Sequence, residues 1–333
     1  MTAASTATQP AAASTAATEP LPTDPTTTHI QQPAVGSALL SFAGDCCLGS
    51  EYQSASWPSS FDNFVGDNYS YVFQNVRDIF GADDLTLVNL ETTLTTATTP
   101  VDKQYRFKGR PQNVNMLTAG NIEAVTFSNN HSHDYGQAGF DDTTSDLDGA
   151  GVLWSGYGKT FTYTTASGIK IGVTGYSSAS QYSYPLSANY TNSIRALKAE
   201  GCDVVVFTMH WGIEHTYTPL AAQQTLAHQL IDAGADIVVG THPHVLQPVE
   251  EYNGRYILYS LGNFTFGGNP ADKDSAIAQV KVDIDADGYK TFNLNVIPCL
   301  ITSGPANQNN YQPTPVPVDT TDYNRIMGKL GLT

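Results

Sequence analysis

Basic residues are scarce in this sequence. It contains 15 lysine and arginine residues against 31 aspartate and glutamate residues, which gives a formal net charge of −16 at pH 7. Proteins that bind nucleic acid use clustered Lys and Arg to neutralise phosphates, so this balance argues against a nucleic-acid partner. It favours cations or polycations as ligands, although many acidic proteins are acidic only for solubility. Charged residues of both signs reach only 14%, so the surface relies on neutral polar side chains.

Cysteine is also rare, and its spacing excludes two classes of protein. The four cysteines are Cys46, Cys47, Cys202 and Cys299. They form no C-x-x-C pair, so neither a zinc ribbon nor a disulfide-stabilised scaffold is indicated. We expect them to behave as small buried hydrophobic residues.

Long hydrophobic runs are absent as well. No stretch of eighteen apolar residues exists, and the first residues lack the basic start and apolar middle of a signal peptide. Residues 1–36 are rich in Ala, Thr, Ser and Pro, which predicts a disordered linker. Such linkers often hold extracytoplasmic domains away from a membrane. We therefore expect a cell-surface protein whose membrane anchor or signal is absent from this chain, with a cytoplasmic protein carrying a flexible tail as the alternative.

The rest of the chain has room for one large α/β domain or two smaller ones. Short β-branched and aromatic runs, typical of buried strands, alternate with segments of helical period. A helix over 226–231 is predicted to connect a strand at Val204–Met209 to a strand at Ile237–Gly240 as a βαβ unit. Residues 278–284 and 292–297 alternate with period two around an Asp-Gly turn, which predicts an antiparallel hairpin.

Three histidines follow the two strands of the predicted βαβ unit. His210 comes directly after the first strand, and His242 and His244 follow the second. Ligands gather beyond the carboxyl ends of strands in open α/β sheets, so these imidazoles are expected to share one site. A single histidine beside a strand is more often structural. In extended backbone, however, which Pro243 favours for His242, residues two apart point to the same side. Neutral imidazole is also a common ligand of transition metals.

Acid and amide side chains follow other predicted strands. Asp45 comes after the strand that begins at Ser37, Glu91 after the strand at 84–88, and Asn130 after the strand at 123–127. Six protein ligands would crowd one divalent ion, but two ions bridged by a carboxylate could share them. Oxygen and nitrogen ligands without thiolate suit Mn²⁺, Fe or Zn²⁺. The predicted metal ligands are Asp45, Glu91, Asn130, His210, His242 and His244.

The densest polar cluster of the sequence, Ser128–Gly136, supplies candidate catalytic residues. It places the imidazole of His131 and the carboxylate of Asp134 next to a predicted metal ligand. Paired metals generate a hydroxide nucleophile near neutral pH, and a neighbouring imidazole can protonate the leaving group. His131 and Asp134 are therefore predicted to be catalytic.

A short basic segment is the candidate substrate-binding region. It contains Lys103, Arg106, Lys108 and Arg110, more than a quarter of all Lys and Arg in the chain. These charges could hold an anionic substrate near the metals, and a solvated hairpin is an equally good interpretation. The predicted substrate contacts are Arg106, Lys108, Arg110 and Asn263, the last of which follows the strand at 256–261.

Six motifs, taken in order, resemble one known family. They are Gly44-Asp45-x-x-Leu48-Gly49, Asn89-Leu90-Glu91, Asn129-Asn130-His131-x-x-Asp134-Tyr135-Gly136, His210-Trp211-Gly212-x-Glu214, His242-Pro243-His244-Val245 and Tyr259-Ser260-Leu261-Gly262-Asn263-Phe264. From about Ser37 to Phe266 the chain resembles the bacterial capsule synthesis protein CapA family, which is linked to poly-γ-glutamate and is similar to the calcineurin-like metallophosphoesterases. The resemblance implies a four-layer αββα sandwich with two mixed β-sheets over residues 37–305. Residues 306–333 would form a tail packed on that domain.

The resemblance also implies roles for individual residues. By position, Asp45 matches the first metal-binding acid of the metallophosphoesterases, Glu91 the bridging acid, Asn130 the amide ligand, His131 the catalytic imidazole, and His210, His242 and His244 the remaining ligands. Two positions depart from that pattern in a way that CapA-like sequences share. Cys47 stands where those enzymes have histidine, and Glu91 stands where they have aspartate. One metal position is therefore expected to be weaker or vacant.

The function that the resemblance implies is synthesis, export or attachment of poly-γ-glutamate. The expected partners are that anionic polymer and membrane-bound capsule synthesis or export proteins. One alternative is a metal-dependent hydrolase or phosphoesterase acting on another cell-envelope substrate. A second is a non-catalytic component that uses its metals to hold the polymer's carboxylates.

Overall fold

The computed structural model describes residues 34–305 and 307–332, so the predicted linker up to residue 33 lies outside the described residues. The strands are β1 Gly36–Cys46, β2 Ser50–Glu51, β3 Leu85–Leu90, β4 Thr93–Leu94, β5 Phe107–Gly109, β6 Ala124–Thr126, β7 Leu153–Ser155, β8 Phe161–Thr164, β9 Lys170–Ser177, β10 Val204–His210, β11 Ile237–Thr241, β12 Leu246–Tyr252, β13 Arg255–Leu261, β14 Asn263–Thr265, β15 Asp274–Ile284, β16 Lys290–Leu300 and β17 Thr314–Pro315. The helices are α1 Phe61–Val65, α2 Arg77–Phe80, α3 Asn115–Ala119, α4 Gly136–Ala150, α5 Ala188–Ala199, α6 Ala221–Asp232 and α7 Thr321–Lys329. A 3₁₀ turn at Pro111–Val114 precedes α3.

Most of the strands form two mixed sheets. The first sheet has the order β17-β16-β15-β1-β3-β6-β7, with β14 also paired to β1. Its strands β1, β3, β6 and β7 are parallel, and β15, β16 and β17 extend it in antiparallel fashion. The second sheet has the order β12-β13-β11-β10-β9-β8, with a parallel centre and antiparallel edge strands β8 and β12. A small third sheet joins β2, β5 and β4.

Three hydrophobic cores separate four layers. Val204 and Val206 of β10 pack into the core between the two sheets, whereas Val205 and Phe207 face the opposite way, toward helices α5 and α6. This alternation follows from the two-residue period of a strand. On the other side, residues such as Phe127 pack the first sheet against helices α2, α3 and α4. The result is the predicted αββα sandwich with two mixed sheets.

The predicted βαβ unit and hairpin are both confirmed. Helix α6 buries Leu226, Ala227, Leu230 and Ile231 along one stripe, and it connects β10 to the parallel strand β11. Gly234, at φ 113°, allows the chain to leave the helix, because a side chain is strained at that angle. Strands β15 and β16 pair antiparallel over their whole lengths.

The C-terminal residues are part of the same packed unit. Strand β17 pairs with β16. Ile326 of helix α7, and Leu330 directly after that helix, are buried in the core between the sheets. The four cysteines are buried and unpaired, as expected. Within residues 34–305 and 307–332, no helix combines the length and apolarity needed to cross a bilayer.

One buried carboxylate, that of Asp236, connects several elements near the start of strand β11. Asp236 precedes β11, and its carboxylate accepts hydrogen bonds from the backbone N–H of Val205 (2.9 Å), from Lys198 Nζ (2.7 Å) and from Lys290 Nζ (2.8 Å). The side chain of Arg255 adds an ion pair at 3.2 Å. Burial alone would raise the pKa of Asp236, but the charges of the two lysines lower it below its ordinary value.

We expect Asp236→Asn to lower the free energy of unfolding at pH 7 by about 2–3 kcal/mol, below the range for a wholly buried pair because the lysines are partly exposed. When the pKa of an acid is lower in the folded state than in the unfolded state, the acid stabilises the fold fully at pH values above its unfolded-state pKa. This stabilisation is lost as the pH falls through the folded-state pKa. The difference from wild type should therefore shrink as pH falls below about 4. Urea unfolding at several pH values measures this. Asp287→Asn, at an exposed hairpin turn, is the matched control, and equal stability of the two variants would contradict the assignment.

Candidate metal centre

The polar clusters that follow the parallel strands meet at one rim of the sandwich. Asp45, near the end of β1, lies in register with Asn89 of β3 and with Asn263 of β14. His210, the last residue of β10, lies in register with Thr241, the last residue of β11. The first sheet therefore brings the acids to this rim and the second sheet brings the imidazoles, as expected for the carboxyl ends of parallel strands.

The two sheets approach each other closely beside Asp45. Its backbone N–H donates to the carbonyl oxygen of Gly262 at 2.9 Å, where the chain passes from β13 of the second sheet to β14 of the first. A Cβ atom added to Gly44 would lie 1.9 Å from that carbonyl oxygen. Only glycine permits this approach, so Gly44 fixes the separation of the acids from the imidazoles.

Two fully buried carboxylates form the floor of the site. Asn89 Nδ2 donates to Asp45 Oδ1 at 2.8 Å and to Glu91 Oε2 at 3.0 Å, which holds the two acids side by side. Burial raises the pKa of Glu91, and the charge of Asp45 raises it further. Among the described residues neither carboxylate is paired with a lysine or arginine. Two adjacent buried carboxylates without a basic partner would be stabilised by a bound cation.

Two of the three imidazoles are held neutral. His210 Nε2 lies 2.7 Å from Asn130 Oδ1, and His210 Nδ1 lies 2.9 Å from Thr241 Oγ1. Burial, together with the neighbouring ring of His242, lowers the pKa of His210 well below its usual value. Burial also lowers the pKa of His242 to about 3. Neutral imidazole is the form that coordinates metals.

His244 is set apart by its contact with an acid. Its Nδ1 lies 3.2 Å from Asp45 Oδ2 and 2.9 Å from Asn263 Oδ1. Burial alone would lower the pKa of His244, but the carboxylate of Asp45 raises it above the ordinary value. Asn263, predicted as a substrate contact, thus lies against this imidazole, where it orients the ring. The ring of Phe266 packs on the other side at 4.7 Å between centroids.

The backbone expected at His242 and His244 was wrong. Both residues have positive φ, 100° and 58°, instead of the extended conformation expected from the intervening Pro243. Asp45 Oδ2 accepts from the backbone N–H of His242 at 3.3 Å, and the carbonyl of Pro243 accepts from the N–H of His215 at 2.8 Å. These tertiary hydrogen bonds hold a tight bend. The bend, and not a shared strand face, brings both rings into the site.

The atoms that lack partners indicate where a metal fits. Glu91 Oε1 is buried without a hydrogen bond, as is His242 Nδ1. An unpaired buried polar atom costs about 1–3 kcal/mol. Glu91 Oε1 lies 3.8 Å from Nε2 of His210 and 3.7 Å from Nε2 of His244. Ligands about 2.0–2.2 Å from one ion have such separations from each other, so the residues present fit a divalent metal.

Three overlapping groups of side chains could hold an ion. In each group the ligand atoms lie within 4.8 Å of one another, and the groups are Glu91, His210 and His242; Asp45, Glu91 and His244; and Glu214, His242 and His244. Asn130, which contacts His210, adds an amide oxygen to the first group. Because Glu91 belongs to two groups, its position suits a carboxylate that bridges two ions.

His131 is oriented toward this centre by Asp134. His131 Nδ1 lies 2.7 Å from Asp134 Oδ2, and His131 Nε2 lies 3.9 Å from Glu91 Oε1. Asp134 also accepts from the backbone N–H of Phe107 at 2.6 Å and from Lys103 Nζ at 2.7 Å. Burial lowers the pKa of His131. The two predicted catalytic residues are therefore in contact, beside the metal ligands.

The basic segment divides into three environments. Lys103 reaches the site, where its Nζ donates to the carbonyl of Asn130 at 2.7 Å. Arg106 and Lys108 flank Phe107 in sequence and lie over the rings of Tyr52 and Tyr135. Arg110 is paired with Asp67 at 2.7 Å and Asp62 at 3.4 Å. Among the described residues, Arg106 and Lys108 have no acidic partner.

Two residues of the site were not singled out from the sequence, and a third, Lys103, was assigned only to the basic segment. Asn89 joins the two acids, Lys103 bonds to Asp134, and Glu214 lies beside His242 and His244. Asn89 stands two residues before Glu91, and Glu214 stands four residues after His210, each inside a motif that contains a predicted ligand. Their position in those motifs was the available signal.

Sequence comparison gives a family. The model of the bacterial capsule synthesis protein PGA_cap family matches residues 39–268. The chain is 32% identical over 268 residues to the PGA biosynthesis protein CapA of Bacillus subtilis, covering 74% of this chain and 68% of that protein. It is 31% identical over 250 residues to the capsule biosynthesis protein CapA of Bacillus anthracis, covering 69% of this chain and 58% of that protein.

A solved structure was also compared. A purple acid phosphatase from yellow lupin (Lupinus luteus) seeds aligns over 88% of this chain and 56% of its own, with a TM-score of 0.39 and 10% identity. The family assignment rests on the sequence matches, which cover most of the chain and include every motif of the metal centre. The chain belongs to the bacterial capsule synthesis protein family.

Proposed function

We propose that this chain is a divalent-metal-dependent component of poly-γ-glutamate capsule biosynthesis, and that it hydrolyses or transfers an amide or ester bond of that polymer. The names of its Bacillus relatives support the pathway. The observation that carries the catalytic part is the placement of His131, which Asp134 orients toward the metal ligands although it belongs to none of the three ligand groups. A site built only to hold metal has no need of such a pair.

The chain's own residues would act as follows. When bound, the metals would activate a nucleophile and stabilise negative charge. With Nδ1–H of His131 donating a hydrogen bond to the carboxylate of Asp134, Nε2 is free to take up a proton at the centre and then give it to the leaving group. Lys103 holds Asp134 in place from the solvent side. Phe107 packs on the ring of His131 at 4.4 Å between centroids and shields it from water.

The metal would be Mn²⁺, Fe or Zn²⁺, because the centre offers oxygen and nitrogen ligands. The site of action would be outside the cytoplasm, at the cell surface, together with membrane-bound proteins of capsule synthesis or export. The composition of residues 1–36, which suits a tether, supports this location.

Incubation of metal-loaded protein with poly-γ-glutamate tests the catalytic proposal. We expect shorter polymer on gel filtration, or transfer to an added amine acceptor, and loss of either change when a chelator is added. Unchanged polymer, with protein shown to contain its metal, would reject catalysis and favour the non-catalytic polymer-binding component. Cys47 supports the second candidate, the non-catalytic component, because it stands where the metallophosphoesterase pattern has a histidine.

The polymer carries a carboxylate on every residue, so an acidic protein needs local positive charge to bind it. Arg106 and Lys108 have no acidic partner among the described residues. We therefore expect the double variant Arg106→Gln, Lys108→Gln to bind poly-γ-glutamate about 5- to 30-fold more weakly at low salt, at about 0.5–1 kcal/mol per surface contact. The loss should shrink as salt screens the charges.

Binding can be measured by calorimetry at two salt concentrations. Arg110→Gln is the matched control, because Asp62 and Asp67 already compensate its charge. A double variant that binds like wild type at low salt would exclude the pair from polymer binding.

A further inference from the structure

We propose that Glu214 is a ligand of the metal centre, where it binds an ion together with His242 and His244. This inference rests on the metal site of the proposed function and deepens it. A carboxylate oxygen of Glu214 and ring nitrogens of His242 and His244 all lie within 4.8 Å of one another. That limit is the same as for the two groups that contain Glu91.

The carboxylate of Glu214 is available. Within the described part of the chain it makes no hydrogen bond and no salt bridge with another side chain, and the residue is exposed. Among the described residues, no lysine or arginine forms an ion pair with Glu214. An acid placed beside two imidazoles with no other partner is suited to coordinate a cation that those imidazoles share.

The loop that carries Glu214 is held in place on both sides. The backbone N–H of Gly212 donates to the hydroxyl of Tyr184 at 2.8 Å. The N–H of His215 donates to the carbonyl of Pro243 at 2.8 Å, which ties the loop to the bend between the two histidines. Gly212 has φ 86°, and an added Cβ would lie 3.2 Å from Pro243 Cγ. The carboxylate is therefore presented to the site by a fixed backbone.

Cys47, unlike Glu214, is not placed as a metal ligand. It follows Asp45 by two residues, but its thiol donates a hydrogen bond to the carbonyl oxygen of Gly49, with 3.6 Å between sulfur and oxygen. Over the described residues it belongs to no group of three or more close ligand atoms. The group of Asp45, Glu91 and His244 thus has three protein ligands and none from Cys47. Glu214 belongs to the other group that contains His244, where it supplies the carboxylate beside the imidazoles of His242 and His244.

Metal titration of wild type and four variants tests the proposal. Wild type, Glu214→Gln, Glu214→His and Cys47→Ala are stripped of metal, titrated with Mn²⁺ or Zn²⁺ by calorimetry, and assayed for bound metal by elemental analysis. We expect Glu214→Gln to bind one ion at least about tenfold more weakly. Glu214→His, which keeps a ligand, should stay within about tenfold of wild type, and Cys47→Ala should match wild type. Glu251→Gln, an exposed acid of β12, is the matched control.

Co²⁺ titration separates a ligand from a nearby charge. Loss of a ligand in Glu214→Gln changes the visible absorption of bound Co²⁺, whereas loss of a distant charge changes only the affinity. Glu214→Gln with wild-type affinities and an unchanged Co²⁺ spectrum would overturn the inference while leaving the proposed function intact. Loss of metal in Cys47→Ala alone would also overturn it. Wild type that binds no metal would instead refute the metal-dependent function itself.

Discussion

Replacing His242 by alanine is expected to weaken metal binding by more than about 100-fold, so that the variant leaves purification with little metal. His242 belongs to two of the three ligand groups, and its Nδ1 is buried without a partner. Mutation of groups that merely support a ligand costs 10- to 100-fold in affinity, so removal of a ligand should cost more. Elemental analysis of protein purified without chelators measures the content.

The fold should survive this change. The imidazole of His242 is neutral and takes part in no buried ion pair of the described residues, so its loss removes packing but exposes no unpaired charge. His228→Ala is the matched control, because His228 lies on α6 and bonds to Glu250, away from the ligand groups. Stoichiometric metal in His242→Ala would contradict the assignment of the centre.

Replacing His131 by alanine is expected to lower turnover of the polymer by about 10²- to 10⁴-fold, the usual contribution of a general acid or base, with metal content unchanged. The reason is that His131 contacts Asp134 and faces Glu91 Oε1 but belongs to none of the ligand groups. Turnover requires neutral His131, and burial lowers the pKa of this imidazole. Wild-type turnover should therefore persist at pH values below the usual pKa of histidine, and should be lost only at still lower pH.

Turnover and metal content must be measured on the same preparation. His133→Ala is the control, since His133 stacks on Phe140 at 4.6 Å between centroids and, among the described residues, belongs to none of the ligand groups. An enzyme loses turnover in His131→Ala and keeps its metal. If His131→Ala processes the polymer as fast as wild type does, His131 is not the catalytic imidazole and its assignment fails.

The sandwich and the rim where the site lies could be predicted from the sequence. Runs such as Val204–Met209 alternate faces with period two, and their carboxyl ends must meet when the strands are parallel. The polar residues that follow those runs, from Asp45 to His244, were therefore expected to converge, and the structure brings them together. Local pattern was sufficient because each ligand lies within a few residues of a strand end.

Positions that depend on loops could not be predicted in the same way. The bend at His242 and His244 is held by a hydrogen bond that the backbone N–H of His242 donates to the carboxylate of Asp45 in β1, almost two hundred positions away in sequence. The different surroundings of Lys103 and Arg110 depend on Asp134 and Asp67, which nothing local connects to them. Hydrogen bonds between distant segments decide such geometry, and a single sequence does not reveal them.

The division of the ligands between the two sheets sets an order of events during biogenesis. Asp45 and Glu91 belong to strands made early in synthesis, and His210 and His242 are made more than a hundred residues later. Every ligand group contains His242 or His244, and the two groups that contain Glu91 are complete only when both halves are synthesised and docked. Ion capture must then be a late step of maturation. The metal that the protein carries would thus be set by the compartment in which the chain finishes folding.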